Sequence, residues 1–392
     1  MSALTVFLVA GEESGDQLGA GLMRALRGRF GPDVRFAGIG GRAMEAQGLP
    51  SLFPMAEISV MGIGAVVAAL PRIVRRGLEA VEAVAAERPD ALVIIDSPDF
   101  THRVARRVRR RLPDLPIVNY VSPSVWAWRP GRAPRMRAYV DHVLALKPFE
   151  PAAHQRLGGP PCTYVGHPLI ERLGELRPAP GERPTLDRDP LTLLVLPGSR
   201  RSEVSRLLAP FGAALGLVAS RSGRAFDIVC PAVPHLADDI RQGVASWPVR
   251  SVVVEGEGAK HAAFRRAHVA LAASGTVTLE LALAGVPMVV AYRMSGLEYQ
   301  LRHLVNVPSI VLANLVLGEN VVPERVQGDC TPPALADALM SLLHDTPERQ
   351  AQLDAFARLD GIMEAGSPTT PSERAAAVVA AEIERARPTR PR

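Results

Sequence analysis

Short apolar runs recur along the chain, and most of them end in a turn that contains glycine or polar residues. Within most runs the apolar positions are continuous rather than alternating, which is typical of strands buried on both faces of a parallel sheet. The predicted strands are Leu4–Ala10, Val34–Ile39, Ala91–Ile95, Ile117–Val121, Val143–Leu146, Leu191–Leu196, Phe226–Cys230, Ser251–Glu255 and Val269–Ala273. Helical patterns follow many of these runs. The alternation of strand, turn and helix predicts an α/β fold with doubly wound sheets.

The alternation is interrupted once, at a segment rich in proline, glycine and charged residues. This segment, Pro178–Pro190, is typical of a connection between domains. We therefore expect two Rossmann-like domains, residues 1–170 and residues 171–371, that face each other across a cleft. A last helix is predicted over residues 372–387, with Ser372 as its N-cap and Pro388 as its stop.

The composition fits a globular protein with a positive surface. Of the 392 residues, 47% are hydrophobic and 22% are charged, and the net charge is +5. Only Lys147 and Lys260 are lysines among the 45 basic residues, so the positive charge is nearly all guanidinium, which suits phosphate groups. A positive surface also suits nucleic acid and anionic lipid, and the composition does not distinguish among these partners.

Cysteines and apolar runs exclude several classes of protein. The three cysteines are far apart, so we expect neither a disulfide framework nor a zinc site. The first residues lack the positive region of a signal peptide, and the longest uncharged apolar run, Val60–Leu70, is much shorter than the roughly 20 residues that a spanning helix needs. We expect a cytoplasmic protein that uses no metal and no cofactor.

One stretch in the second half suits a nucleotide. After strand Val269–Ala273, the turn Ser274-Gly275-Thr276 presents N–H groups at a helix N-terminus, where an anion is favoured. Glu280 follows about one helical turn later, so its carboxylate can meet the paired hydroxyls of a ribose. The alternative is an ordinary capped helix with a solvated Glu280.

A second turn in the same half also suits an anion. Strand Leu191–Leu196 leads into a Pro-Gly-Ser-Arg turn and a helix, which places Ser199 and Arg200 where a phosphate would bind. The sequence is not that of a P-loop. Further along, Val311–Leu315 predicts a polar-lined loop, and Val321–Gln327 predicts the start of a helix.

The first half places carboxylates at the ends of two predicted strands. Gly11–Asp16 carries acidic residues where a dinucleotide-binding turn has glycines, so it would repel a pyrophosphate but accept hydrogen bonds from a sugar. Asp96 follows the third strand and is a candidate general base, whereas Asp99 either caps the next helix or is the base itself. The arginines from Arg103 to Arg111 fit a solvated face, or contact with lipid headgroups.

Two further segments suggest a ligand or a membrane edge. Trp126 and Trp128 lie on a proline-punctuated loop, which is a poor place for core filling. The mostly apolar segment Glu57–Leu70 is followed at once by arginines and fits an interfacial element, although taken alone it is better explained by a core helix with a solvated end. The candidate membrane residues are Val60, Met61, Ile63, Val66, Val67, Leu70, Arg72, Arg75 and Arg76.

Seven motifs span nearly the whole chain. They are Ala10-Gly-Glu-Glu-Ser-Gly-Asp16, Val60-Met-Gly62, Asp96-Ser-Pro-Asp-Phe100, Tyr120-Val-Ser-Pro-Ser-Val-Trp-Ala-Trp-Arg129, Gly166-His-Pro168, Leu196-Pro-Gly-Ser-Arg200 with Glu203, and Ala273-Ser-Gly-Thr-Val-Thr-Leu-Glu280. With these motifs the chain resembles the lipid-A-disaccharide synthase family, inverting glycosyltransferases of the two-Rossmann GT-B fold. The tryptophan-rich run is the most specific of them.

The resemblance implies a reaction and a role for each motif. UDP-2,3-diacylglucosamine would give its sugar to the 6-hydroxyl of 2,3-diacylglucosamine 1-phosphate, which forms the β-1,6 disaccharide 1-phosphate and UDP. Asp96 would be the base and Arg200 a diphosphate ligand. Arg200, Ser199, Ser274, Gly275, Thr276, Glu280, Asn314, Glu324 and Gln327 would bind UDP, and Glu12, Ser14, Asp16, Asp99, Trp126, Trp128 and Arg129 would lie on the acceptor side.

Acylated substrates bear on the location of the protein. They favour Ile58–Leu70 as a membrane patch that touches anionic lipid on the inner face of the bacterial inner membrane. The resemblance also implies that the last helix packs back on the first domain. It implies no nucleic-acid partner and leaves a homodimer open.

One segment departs from the family pattern. Where the family often has Gly-Arg-Glu, this chain has Gly318-Glu319-Asn320, so an arginine expected near the diphosphate is missing, and Arg293 or Arg325 could replace it. The alternative enzymes are a UDP-N-acetylglucosamine epimerase or another GT-B transferase. The alternative class is a non-catalytic protein that binds lipid or nucleic acid.

Overall fold

A computed structural model of the chain describes residues 4–59, 63–294 and 307–386, and for residues 63–68 it describes the backbone alone. The chain divides into two compact units. Unit 1 is the chain up to Pro168 together with the chain from Ser367 onward, and unit 2 is Leu169–Gly366. Each unit is built on a parallel sheet of six described strands.

The elements of the described residues alternate as the apolar pattern predicts. The strands are β1 Thr5–Ala10, β2 Arg35–Ile39, β3 Ala91–Ile95, β4 Ile117–Tyr120, β5 His142–Ala145, β6 Cys162–Tyr164, β7 Leu191–Leu196, β8 Phe226–Ala232, β9 Ser251–Glu255, β10 Val269–Ala273, β11 Met288–Tyr292 and β12 Glu324–Val326. The helices are α1 Glu13–Phe30, α2 Arg42–Glu45, α3 Ile63–Glu87, α4 Pro98–Arg111, α5 Arg132–Met136, α6 Glu150–Arg156, α7 Leu173–Leu176, α8 Arg201–Ser222, α9 Ala237–Val244, α10 Glu257–Arg266, α11 Val277–Leu283, α12 Leu312–Leu317, α13 Pro332–Met340, α14 Pro347–Ile362 and α15 Pro371–Ala386.

The sheet of unit 1 has the order β2-β1-β3-β4-β5-β6. Alternate residues of β1 enter separate cores. Val6 and Leu8 pack with α1 and α15, whereas Phe7 and Val9 pack with α3 and α4. Because both faces of the sheet are covered, the strands read as continuous apolar runs in the sequence.

Helix α15 belongs to unit 1, although unit 2 precedes it in the chain. Val379 and Ile383 lie in the same core as α1. A Cβ on Gly21 of α1 would lie 2.5 Å from Ser372 Oγ. Glycine therefore permits the close approach of the two helices.

The N-cap of α15 is Thr370 and not Ser372, which corrects the predicted boundary. Thr370 Oγ1 accepts the backbone N–H of Glu373 at 3.2 Å, and Glu373 Oε2 accepts the backbone N–H of Thr370 at 2.8 Å. This reciprocal pair is a capping box. The predicted stop, Pro388, lies outside the described residues.

The sheet of unit 2 has the order β12-β11-β10-β7-β8-β9. Leu193 and Val195 of β7 pack on one face with α8, α9 and α13. Helix α14 is tied to β11 by Gln352, which accepts the N–H of Met288 at 2.8 Å and donates to its carbonyl oxygen at 3.1 Å. The predicted α/β class with two doubly wound sheets is confirmed.

Each sheet contains a point at which the strand order changes direction. In unit 1 this point lies between β1 and β3, and in unit 2 it lies between β7 and β10. Loops that leave such neighbouring strands diverge and open a crevice at the carboxyl ends of the strands, where doubly wound folds bind ligands. The fold alone therefore predicts one site in each unit.

Several local predictions were wrong. Helix α1 begins at Glu13, so most of the acidic turn is the first helical turn, where carboxylates are favoured by the helix dipole. The predicted loop at Val311–Leu315 is largely helix α12, and the predicted helix start at Val321–Gln327 contains strand β12, which pairs with β11. Strand β6 was not predicted.

Candidate active site

A pocket of about 500 Å³ opens in unit 2 at the carboxyl ends of β7, β8, β9 and β10. It lies at the point where the strand order changes direction, and its volume suits a small organic ligand. Six of the predicted UDP-binding residues line it, together with three further charged residues. The polar and glycine lining includes Ser199, Arg200, Glu203, Glu257, Lys260, Ser274, Gly275, Thr276 and Glu280.

Arg200 stands at the N-cap of α8, with 67% of its side chain exposed. Buried Glu203 accepts from Arg200 Nη1 at 2.7 Å and from the backbone N–H groups of Ser199 and Arg200 at 3.1 and 3.3 Å. Gly198 has φ 120°, and a Cβ there would lie 2.6 Å from Glu203. Glycine is therefore required for the turn that sets the position of Arg200.

The turn after β10 is anchored by two hydroxyl groups. Ser274 Oγ donates to the carbonyl oxygen of Ile310 at 2.6 Å, and Thr278 Oγ1 donates to that of Gly275 at 2.9 Å. A Cβ on Gly275 would meet nothing within 4 Å, so the turn is open at this residue. Because the Ser274 hydroxyl donates to Ile310, any contribution of the turn to anion binding rests on its backbone N–H groups and on the hydroxyl of Thr276, which lines the pocket.

Lys260 of α10 is a pocket residue that sequence reasoning missed. Its Nζ lies 2.9 Å from Glu280 Oε2 and 2.9 Å from Glu257 Oε1. Burial would lower the pKa of the ammonium group, but the carboxylates of Glu280 and Glu257 outweigh it and raise the pKa. The only signal in the sequence is that Lys260 is one of two lysines in an arginine-rich chain.

Asn314, Glu324 and Gln327 brace the loops beside this turn. Asn314 is 1% exposed and bonds to the backbone of Val321 and Val322 and to Glu324. Glu324 Oε2 accepts the N–H of Ile310 at 3.2 Å, so the network reaches the carbonyl that holds Ser274. Gln327 Oε1 accepts the N–H of Met294 at 2.7 Å. Direct contact of these three residues with UDP stays a prediction. The hydrogen bonds that the structure shows for them hold the surrounding loops in place.

The segment that departs from the family pattern lies outside the pocket lining. Glu319 pairs with Arg358, and Asn320 Nδ2 donates to the carbonyl oxygen of Pro308 at 3.3 Å. Arg293 donates to the Cys330 carbonyl at 2.5 Å. Among the described residues, the pocket cations are Arg200 and Lys260, so Lys260 supplies a positive charge that the sequence analysis did not anticipate.

In unit 1 the candidate base lies at the corresponding point, where the strand order changes direction. Asp96 and Ser97 follow β3 with φ 51° and 41°, a left-handed conformation that costs about 1–3 kcal/mol for each residue other than glycine. Ser97 N–H and Ser14 Oγ donate to Asp96 at 2.8 and 3.4 Å, and Ser97 Oγ donates to Glu12 at 3.2 Å. A Cβ on Gly11 would lie 2.5 Å from Ser97 Cβ. The structure thus brings Glu12, Ser14 and Asp96 together.

Asp16 and Asp99 have other surroundings. Asp16 is fully buried, and its carboxylate accepts the N–H groups of Gly41, Ala43 and Met44 at 2.8–3.0 Å. It caps α2 and is not open to an acceptor, which corrects its predicted place. Asp99 lies in the first turn of α4, is 77% exposed and pairs with Arg132 at 3.0 Å.

The two tryptophans of the loop after β4 differ. Trp126 packs edge-on against Phe149, and its Nε1 donates to the fully buried Glu150 at 3.2 Å. Glu150 is also paired with Lys147 at 3.1 Å. Trp128 is exposed, and the guanidinium group of Arg129 stacks over it at 4.0 Å. Trp126 is therefore an anchor, and Trp128 with Arg129 forms the open part of the loop.

Helix α3 carries an exposed apolar face. It continues through Pro71 to Glu87, and Leu70, Val74 and Leu78 are 44, 43 and 48% exposed. These three residues, called the apolar stripe below, recur every fourth position and so lie on one side of the helix. Arg72 and Arg75 are exposed, whereas Arg76 is held by Glu57 and Glu79. Val60 and Met61 lie outside the described residues, as do the side chains of Ile63, Val66 and Val67.

The described residues offer no metal site, and they include one helix with the length and hydrophobicity of a membrane span. They contain no cluster of three or more His, Cys, Asp or Glu side chains that could hold a metal ion. One helix, α8, is long and apolar enough to cross a membrane, but half of its most apolar stretch is buried inside the structure. Its packing against β7 explains that composition as core.

Comparison with protein families gives a match over nearly the whole chain. The model of a family described as lipid-A-disaccharide synthetase matches residues 6–376. The lipid-A-disaccharide synthase of Bradyrhizobium diazoefficiens is 57% identical over 383 residues, which are 97% of this chain and 97% of that protein. The proteins of the same name from Nitrobacter winogradskyi and Rhodospirillum centenum are 60 and 44% identical, over 95 and 97% of this chain and 94% of each relative.

Solved structures share the fold at low sequence identity. The kitacinnamycin glycosyltransferase has a TM-score of 0.63 at 18% identity and covers 97% of this chain and 99% of its own. MurG of Acinetobacter baumannii has 0.57 at 15%, with 97 and 99% covered. The UDP-GlcNAc 2-epimerase of Neisseria meningitidis, bound to UDP-GlcNAc, has 0.64 at 11%, with 96 and 100% covered. These likenesses show the GT-B fold, which transferases and epimerases share.

Proposed function

This chain belongs to the lipid-A-disaccharide synthase family, and we propose that it transfers the sugar of UDP-2,3-diacylglucosamine to the 6-hydroxyl of 2,3-diacylglucosamine 1-phosphate. The products are the β-1,6-linked disaccharide 1-phosphate and UDP. The observation that carries the proposal for this chain is the pocket of unit 2. The pocket brings together a guanidinium group, a Ser-Gly-Thr turn and a carboxylate at the point where the strand order changes direction. These are the groups that a nucleoside diphosphate needs.

The donor is proposed to bind with its diphosphate toward Arg200 and its ribose toward Glu280. Arg200 offers a charge-assisted hydrogen bond to phosphate, and its exposed guanidinium can reach a ligand in the pocket. Glu280 can accept hydrogen bonds from paired ribose hydroxyls.

The chemical step is proposed as a single displacement. The acceptor oxygen forms a bond to C1 of the donor sugar, the bond from C1 to the diphosphate oxygen breaks, and the acceptor proton passes to the Asp96 carboxylate. One displacement inverts the configuration at C1, so a donor in which UDP is α-linked to the sugar gives the β-linked product. Arg200 and the turn after β10 meet the charge that develops on the leaving UDP. Ser14 and the Ser97 N–H orient the base.

We also propose that the enzyme works on the inner face of the inner membrane, with the apolar stripe in contact with lipid. Both substrates carry acyl chains, and an exposed apolar face next to arginines is typical of an interfacial helix. Trp128 with Arg129 is a second candidate for this surface. A homodimer, and the absence of a nucleic-acid partner, stay predictions.

The activity is tested by measuring UDP release from the purified full chain in detergent. The assay contains UDP-2,3-diacylglucosamine with and without 2,3-diacylglucosamine 1-phosphate, and mass spectrometry follows the lipid product. We expect UDP only when both substrates are present, together with a disaccharide monophosphate. UDP release that ignores the acceptor would contradict the proposal.

An epimerase shares this fold, so the same preparation is given UDP-N-acetylglucosamine alone. Conversion of this unacylated sugar nucleotide, without release of UDP, would favour the epimerase. The family match over residues 6–376 makes the transferase the expected outcome.

A further inference from the structure

Lys260 is the cation of the proposed donor pocket to which the reaction above gives no role. Its side chain is only 19% exposed, and it bridges Glu257 at the start of its own helix to Glu280 on α11. A lysine in the first turn of a helix is unfavourable toward the helix dipole. The position is therefore explained by its carboxylate partners and not by the needs of α10.

The contact divides the two oxygens of Glu280. Oε2 is buried and lies 2.9 Å from Nζ, in an ion pair that lacks hydrogen-bond geometry, so the hold on this oxygen is electrostatic. A ligand hydroxyl that enters the pocket must then be met by Oε1. The direction of Oε1 follows from the hold that Lys260 has on Oε2, since a carboxylate is planar and rigid.

The charges of the pocket show what the ammonium group changes. The side chains that line the pocket include two cations, Arg200 and Lys260, and three carboxylates, of Glu203, Glu257 and Glu280. Arg200 and Glu203 pair with each other. Glu257 also lies 3.6 Å from Arg172, so Glu280 is the carboxylate that depends more on Lys260. Without this ion pair, an incoming nucleoside diphosphate and Glu257 would repel Glu280 from its present position.

We propose that Lys260 is a positioning residue that holds the Glu280 carboxylate in the orientation in which it accepts hydrogen bonds from the ribose hydroxyls of the donor nucleotide. The inference rests on the proposed function, because it assumes that a uridine nucleotide occupies this pocket. It assigns Lys260 no contact with the reacting atoms. Its effect is expressed through Glu280, and so through the preference for ribose over deoxyribose.

The test compares the affinities of the full chain for UDP and for 2′-deoxyuridine 5′-diphosphate by titration calorimetry. We expect the wild type to prefer UDP about 10-fold or more, since hydrogen bonds to a charged acceptor are strong. Lys260→Met should reduce this preference to about twofold or less, as should Glu280→Gln. The double variant should lose no more than either single variant, because both changes remove the same interaction.

The control is Lys147→Met, the same substitution at the other lysine, which is ion-paired in unit 1. It should leave the preference for UDP unchanged. If Lys260→Met does not fold, Lys260→Gln keeps the size and polarity of the side chain and takes its place. A merely structural ion pair would lower the unfolding temperature without changing the ratio of the two affinities.

The outcomes separate the inference from the function on which it rests. If the wild type binds neither nucleotide, the proposed function fails and the inference fails with it. If Glu280→Gln abolishes the preference for UDP but Lys260→Met retains it, the inference alone is overturned. Independent, additive losses in the double variant would also overturn it.

Discussion

Gly198 offers the sharpest test of how the donor pocket is built. Its φ of 120° is a conformation that residues with a side chain rarely adopt, and a Cβ there would lie 2.6 Å from both Cβ and Oε2 of Glu203. Glu203 is buried and holds the backbone of Ser199 and the side chain of Arg200. Gly198→Ala must therefore strain the turn and displace the residue that sets Arg200.

The two effects have separable magnitudes. The backbone conformation costs about 1–3 kcal/mol, and loss of the capping carboxylate at the start of α8 costs about 1 kcal/mol more. We expect unit 2 to lose about 2–4 kcal/mol of stability from the two together. The affinity for UDP should fall about 10- to 100-fold, because a charged hydrogen bond to phosphate contributes about 1.5–3 kcal/mol.

Gly223 is the matched control at the other end of α8. It also has a positive φ, 64°, but a Cβ there would meet nothing within 4 Å. Gly223→Ala should cost about 1–2 kcal/mol of stability and leave the affinity for UDP within about twofold of the wild type, a margin of about 0.4 kcal/mol. Hydrogen exchange of residues 199–207 and calorimetric titration with UDP measure the two effects. If Gly198→Ala behaves like Gly223→Ala in both, the account of the pocket is wrong.

Three further predictions concern unit 1. Asp96→Asn should lower kcat about 10²–10⁴-fold with little change in UDP affinity. Asp99→Asn alters only an exposed ion pair, so it should keep kcat within about threefold. If Asp99→Asn lowers kcat more than Asp96→Asn does, Asp99 is the base. Changing the three residues of the apolar stripe to serine should weaken co-sedimentation of the protein with phosphatidylglycerol vesicles. The control Val252→Ser, at an exposed valine of unit 2, should leave co-sedimentation unchanged. If both changes weaken it equally, the stripe is not the lipid contact. Burial lowers the pKa of His102 to about 4, so the unfolded state takes up a proton first as the pH falls below 6.5. His102 should therefore contribute about 2 kcal/mol to the loss of stability of unit 1 between pH 7 and pH 5, and His167 and His154 add to this loss because burial lowers their pKa as well. A His102→Gln variant whose thermal unfolding keeps the full pH dependence of the wild type would refute this assignment.

The strands could be predicted from the sequence because burial on both faces leaves a local signature. Leu191–Leu196 and Val269–Ala273 are continuous apolar runs, and the structure forms both as predicted. Glu324–Val326 has no such signature, since it is three residues long and starts with two charged residues. Its strand conformation comes from pairing with β11, more than thirty residues earlier, and such pairing cannot be inferred from the pattern.

Site residues that lie close together in the chain could be predicted from the sequence. Residues whose positions depend on partners far away in the chain could not. Ser274, Gly275, Thr276 and Glu280 lie within one turn and helix, and all line the pocket. Asp16 was misplaced because its carboxylate is bound by N–H groups that lie more than twenty residues away. Lys260 was missed for the same reason, because its partner Glu280 is on another helix.

The acidic turn after β1 therefore needs a different explanation from the one that its composition suggests. Two consecutive left-handed residues at Asp96 and Ser97 cost about 2–6 kcal/mol together, and such strain persists only where the surroundings impose it. Glu12 and Ser14 contribute to it through hydrogen bonds with Ser97 and Asp96, and Thr101 Oγ1 adds a bond to the Asp96 carbonyl oxygen at 2.7 Å. The Ser14 hydroxyl and one carboxylate oxygen of Glu12 are thus already bonded to the turn that holds the proposed base. In the proposed reaction a sugar acceptor meets Asp96 held in place by this turn, so we expect the turn to contribute by fixing the orientation of the carboxylate.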